Sequence, residues 1–304
     1  MNNLLKLSLA VATVLMAGNA MAAQTTSIVD SKHNLGSTGT YADRNKTTAT
    51  TEVCVFCHTP HGAVAKDTDG KAVAPLWNKS LPDSATFSTY NTLGTATLQG
   101  SVTKVGSVSI ACLSCHDGSQ AMDVMINQPG SGGYNAGGAS PTGVWSQYST
   151  NINTTTGKML TATPIPGLGT DLTNDHPIGI QYAGGLIDNA TGSRANPADF
   201  RNQDFRGLAS TSINGNTVWY VPVPDQNVTT GLDNTVNGTK IVPVAGIRNK
   251  TDMALYTRTD AAIAGGAQPF VECASCHDPH QADTATFLRI DNTGSAVCLA
   301  CHVK

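Results

Sequence analysis

The chain has 304 residues, of which only 13% are charged and 5% aromatic, and its formal net charge is −3 at pH 7. So weak and negative a charge argues against nucleic acid and anionic membrane surfaces as partners. Gly, Ser, Thr and Asn dominate, leaving little Leu, Ile and Phe for a large ordinary core, so something else is expected to supply much of the apolar interior.

Residues 1–22 carry one Lys near the front, an apolar run from Leu7 to Ala17, and Ala20-Met21-Ala22 as a small-x-small cleavage site. They read as a secretory signal peptide, too short for a membrane anchor, and no later apolar run is long enough to span a bilayer. The mature chain is therefore expected to be soluble and exported, with a formal charge of −4 once Lys6 is removed. Residues 23–50 form a Thr/Ser-rich N-terminal arm containing His33 in SKHNLG. Residues 51–128 hold Cys54, Cys57 and His58 in CVFCHTPHG, with His61 three residues on, and then Cys112, Cys115 and His116 in CLSCHDG.

Residues 129–251 are a Gly/Ser/Thr/Asn-rich central segment. Within it SGGYNAGGASPTG (131–143) reads as a flexible loop. TVWYVPVP (217–224) and TKIVPVAGI (239–247) read as brief strands whose prolines suit sheet edges. His176 sits in TNDHPIG, where Pro177 pushes it toward an extended conformation. Residues 252–304 hold Cys273, Cys276 and His277 in CASCHDPH, with His280 following, and then Cys298, Cys301 and His302. The expected fold class is mostly irregular coil with short helices after the motifs and a few short strands, organised around the groups the motifs bind. Trp77, Trp145, Trp219 and Tyr220 are expected to pack on those groups or on the core.

All eight cysteines fall into four copies of Cys-x-x-Cys-His, with none left over. That word is the attachment site of c-type haem: two thiols add to the porphyrin vinyl groups, and the adjacent His binds the iron from below. Disulfides would explain an even number of exported cysteines but ask for no His after each pair, and zinc ribbons need none either. Four words imply four covalently bound haem c groups.

Eight histidines are present; four are proximal, and the rest are His33, His61, His176 and His280. Four six-coordinate irons need four further axial ligands, so the count matches bis-histidine ligation throughout. His61 cannot reach round to the far face of the haem held by His58, because a three-residue step spans at most about 10 Å. It must serve another haem, and His280 likewise. His61 is expected to cap the haem of Cys112 and Cys115, and His280 that of Cys298 and Cys301.

KHNL, CVFCHTPHG, APLWNKS (74–80), CLSCHDG, NDHPIG and CASCHDPH together resemble the bacterial multihaem c-type cytochromes with paired CxxCH motifs. With the signal peptide, the chain is similar to the tetrahaem outer-surface cytochromes of the OmcE type, which polymerise into extracellular electron-conducting filaments. The resemblance implies bis-histidine ligation of iron at His58, His116, His277 and His302 by His33, His61, His176 and His280. It also implies an electron carrier rather than an enzyme, a homopolymer with head-to-tail contacts, and redox partner cytochromes and extracellular acceptors. A distal His donated between subunits is expected, with His33 the leading candidate and His61 the second; the alternative is that His33 ligates a haem of its own chain. The alternatives are a monomeric periplasmic or outer-surface shuttle with the same haems and a multihaem reductase, which needs an open iron position.

Overall fold

The computed structural model describes residues 27–39, 44–146, 151–162, 166–187, 194–223, 235–236, 239–240, 248, 250–259, 266–282 and 284–303. Most of these residues lie in turns and irregular segments, with short helices and small sheets. Among the described residues no helix is long and apolar enough to cross a membrane.

The longest helix is α1, Ser107–His116. It buries Ile110 and Leu113 against Val105, Phe87 and Leu172. It stops at Gly118, whose φ is +72° and where a Cβ would come within 2.8 Å of the Met159 carbonyl oxygen; only glycine adopts that turn without strain. Two shorter helices follow, α2 (Cys273–Cys276) and α3 (Ala296–Cys301). The helices contain the Cys pairs instead of following them, as the sequence reading had it. The reason is geometric: on a helical turn residues i and i+3 share a face, so both thiols of a pair point one way.

The central segment is more ordered than its composition suggests. Ala209–Ile213 and Asn216–Val221 form a hairpin that continues through Met253–Arg258, Gln268–Val271 and Ile180–Gln181 as a five-stranded antiparallel sheet. This agrees with the strand expected at 217–224. Of the strand expected at 239–247, Thr239–Lys240 pairs with Thr235–Val236, and 241–247 lie outside the described residues. The loop expected at 131–143 contains a strand instead, Tyr134–Ala139, paired with Met125–Asn127. Its glycines are tolerated because the pair is irregular in register and this strand is largely exposed, where little side-chain packing is demanded.

An apolar core of ordinary side chains lies beside this sheet. Tyr182, Phe200, Val221, Met253 and Ile290 are each at most 2% exposed and pack together. Trp145 and Tyr220 are buried as expected, and Trp219 lies under the Arg194 guanidinium at 5.4 Å. The N-terminal segment is also tied down. Asn34 is fully buried, and buried Arg44 donates from Nη1 to the carbonyls of Asn34 and Gly36 and from Nη2 to that of Gly39.

α1 and α2 are joined by a buried polar network. Glu272 is 1% exposed. Its carboxylate accepts from Arg258 Nη1 at 2.9 Å and from Ser109 Oγ at 2.5 Å, and Ser109 Oγ accepts from the Cys273 N–H at 2.9 Å. Removing one partner strands the other charge in the interior. Glu272→Ala should therefore cost about 3–5 kcal/mol, read as a lowered denaturant midpoint at unchanged m-value.

Candidate haem-binding site

Each Cys-x-x-Cys-His word is wound as a helical turn. The His N–H donates back to the carbonyl of the first Cys at 2.8 Å for His58, 3.1 Å for His277 and 2.9 Å for His302. A second segment then crosses behind the His. Trp77 bridges to His58, Leu288 to His277 and Phe205 to His302. In three cases a backbone carbonyl is thereby set against Nδ1: Pro75 at 2.7 Å from His58, Pro166 at 2.8 Å from His116, and Thr286 at 2.8 Å from His277. A carbonyl accepts only, so Nδ1 carries the proton and Nε2 keeps its lone pair free. That is the arrangement of a metal-ligating imidazole held by its outer shell. The His302 ring instead lies against Phe205, 4.3 Å between centroids.

Burial holds three of the thiols in the neutral form. Burial pushes Cys57 and Cys301 up to about 12 and Cys276 up to about 11. Thiols so placed are poor thiolate donors to zinc. Among the described residues no three His, Cys, Asp or Glu side chains converge on a metal-sized point, and none of the eight cysteines forms a disulfide. Cys112 and Cys273 share a hydrogen bond, which raises the Cys112 thiol and lowers that of Cys273. The second and third words are therefore adjacent in space.

Two of the four remaining histidines face proximal rings. His280 lies opposite His58 with ring centroids 6.0 Å apart and planes 18° apart. His33 lies opposite His116 at 6.3 Å and 76°. Two imidazoles bound on opposite sides of one metal at about 2 Å per bond have centroids about 6 Å apart. Both pairs match that separation. His280 was expected to serve the haem of Cys298 and Cys301, and its ring instead faces the first word. His61 is the expected partner of the second word; the ring the structure sets near His116 is that of His33, from the same chain.

The position of His33 follows from its neighbours. Phe287 stacks on its ring at 4.1 Å and 9°, and Nδ1 is 3.5 Å from the Pro279 carbonyl oxygen. Burial, then the charge of His116, pushes its pKa down to about 4, which keeps the imidazole neutral. His280 lies 3.5 Å from the Asp278 carboxylate, and its pKa is raised chiefly by that hydrogen bond. His61 and His176 are exposed. The His61 carbonyl is held by Asn127 Nδ2 at 2.6 Å and Thr59 Oγ1 at 3.1 Å, while His176 Nδ1 is 3.0 Å from the Pro177 carbonyl oxygen. Among the described residues neither ring faces another imidazole.

The carbonyls of Pro75, Pro166 and Thr286 went unseen in the sequence, since a carbonyl leaves no trace in residue type. Trp77 was read only as a packing residue. It stands edge-on to His58 at 6.1 Å, and its buried Nε1 has no hydrogen-bond partner among the described residues. A haem brings two carboxylates that accept such donors. The free Nε2 atoms, the ring separations, the thiol pairs on helical turns and this orphaned donor all fit haem c.

Residues 265–304 match the family model described as the doubled CXXCH motif. No curated protein is significantly similar to the chain. The match supports a multihaem c-type cytochrome that binds haem covalently, and with it haem-based electron transfer.

The two ring pairs differ in a way a spectrum reads. Near-parallel axial imidazoles give a rhombic low-spin EPR signal, and near-perpendicular ones a strongly anisotropic signal. The oxidised protein should show both. His280→Ala should abolish one rhombic component and give carbon monoxide binding to about one iron per chain after reduction; retention of every low-spin signal would separate His280 from His58.

Proposed function

We propose that the chain carries four haem c groups, one per Cys-x-x-Cys-His word, and passes single electrons along them as an exported, extracellular electron carrier. The observation that carries this is the pairing of proximal and distal imidazoles at ligand separation, on thiol pairs wound to face one way. Bound haem supplies the one-electron ferric–ferrous couple. The chain's own residues attach it, orient it and exclude water from it. Pro75, Pro166 and Thr286 aim the proximal Nε2 atoms. Trp77, Phe205 and Phe287 wall the rings. The α1–α2 network fixes the second word against the third, so the groups they hold stand close enough for direct electron passage.

His58, His116, His277 and His302 are the proximal iron ligands, and His280 and His33 are the distal ligands of the first two. His61 and His176 are the distal ligands of the remaining two. With every iron carrying two histidines, none is open to a small substrate, which separates this reading from a reductase. Bis-histidine ligation also favours low potentials relative to His/Met haems.

Beyond the single chain, the protein is read as the subunit of a conductive filament built by head-to-tail contacts. His33 is engaged within its own chain, so the donor between subunits passes to His61, the second candidate from the sequence. Its exposed ring on an anchored loop supports this, and the low charge density limits repulsion between copies. A contact that does not close on itself builds an open filament.

The mass of the mature chain should show four haem additions; fewer would overturn the reading at its base. Electron microscopy of secreted material should show uniform fibres, and His61→Ala should leave four haems attached while reducing the fibres to discrete particles. Fibres unaffected by that change would remove His61 from the contact.

A further inference from the structure

One interior charge is that of Lys79, in the APLWNKS segment. It is 0% exposed. Its Nζ donates to the carbonyl oxygens of Val124 at 2.6 Å, Met122 at 2.9 Å and, more loosely, Ala121 at 3.5 Å. An ammonium has three N–H donors and no acceptor, so these carbonyls occupy all of them. Every partner is a neutral carbonyl. A buried ammonium without a bonded counter-ion is costly. The charge therefore calls for a function.

Its location supplies one. The preceding residue, Asn78, donates its N–H to the Cys57 carbonyl at 2.9 Å and its side-chain amide to that of Val55 at 2.7 Å. Met122, whose carbonyl Nζ holds, packs its side chain in the cluster that touches Cys115. Nζ thus lies between the first and second words. On the side of the second word stand two buried carboxylates. Asp117 directly follows His116 and is held by the Ser119 N–H and Oγ at 2.8 Å each. Asp123 is held by Ser140 Oγ at 2.9 Å and, at 3.0 Å, by Nε1 of Trp145, whose ring packs in the cluster that touches Cys115. The acidic residue nearest in sequence to Cys54 and Cys57 is Glu52, and it is exposed.

We propose that Lys79 is a fixed internal cation that raises the reduction potential of the haem on Cys54 and Cys57 above that of the haem on Cys112 and Cys115. This rests on the haem reading above. One-electron reduction takes ferric iron to ferrous iron, with the electron supplied by a redox partner, and removes one unit of positive charge from the centre. A nearby fixed cation favours the reduced form. Nearer the second word, Asp117 and Asp123 offset it. An electron shared by the two haems then settles on the first, and Lys79 is a positioning residue for charge, not a ligand.

The test is an EPR-monitored redox titration of the intact four-haem protein and of Lys79→Gln, Lys79→Met and Lys79→Arg. The component of the first haem is the rhombic one lost in His280→Ala. In the Gln and Met variants its reduced-to-oxidised ratio at fixed potential should fall about tenfold, the effect of a unit charge at an effective dielectric of about 20. That is a shift of ~59 mV for a one-electron couple. The strongly anisotropic component should move less, and Arg should restore the wild-type value. Four attached haems with the first component unmoved in either neutral variant would overturn the proposal. Fewer than four haems in the wild-type chain would overturn the haem reading itself, so the two failures are distinguishable.

Discussion

The hydrogen bond from the proximal imidazole Nδ1 to a backbone carbonyl is the interaction on which the rest of the site depends. The Cys-x-x-Cys-His turn by itself sets where the ring begins, since its N–H returns to the first Cys carbonyl. It does not set where the ring points. That is decided by a second strand of chain, carrying Pro75, Pro166 or Thr286. Each word therefore needs a partner segment, and those partners come from 17, 50 and 9 residues downstream. Much of the irregular chain between the motifs exists to bring these carbonyls back.

The same demand explains how a chain poor in charge and aromatic residues still folds. The five-stranded sheet places its apolar face on the Tyr182–Phe200 cluster, and this cluster also receives the last helix through Ala296 and Ala300. The sheet is thus a platform for the fourth word. The third is fixed to the second by Glu272, Arg258 and Ser109, three side chains whose polar atoms satisfy one another out of water. Around the first two words, smaller clusters built on Met122, Met125, Phe56 and Trp145 share Leu35. Methionine suits such irregular interiors because its unbranched chain adapts to them.

The site's covalent chemistry was legible because it is written locally. Cysteine spacing and the following His lie within one turn of chain, and no tertiary information is needed to read them. The ring pairs His58–His280 and His33–His116 were not legible, because they depend on how distant segments meet, whereas sequence proximity points to neighbouring words. Helix placement failed by a few residues for a related reason: the motif itself supplies the helical turn, so no separate helix has to follow it. Strand at 134–139 was hidden by glycine-rich composition, which describes what a segment tolerates and not what its neighbours ask of it. The buried cation at Lys79 gave no sequence signal at all, since a lone lysine in a polar segment is ordinarily solvated.

The pairing of His280 with His58, and of His33 with His116 beside Pro279, ties together stretches of chain that lie 246 residues apart in the His33–Pro279 contact. A chain delivered across a membrane from its N-terminus presents the first two words long before residue 280 arrives. On the reading proposed above, of an exported haem protein with His280 on the first iron, that iron waits for its sixth ligand until nearly the whole polypeptide has crossed. Completion of that centre is then a length check: a chain truncated ahead of His280 carries its first haem but not a finished one. The late ligand closes a long loop at an entropic cost that grows only slowly with length, so the wait is thermodynamically cheap while the signal it gives, a saturated iron, arises only once His280 has been delivered.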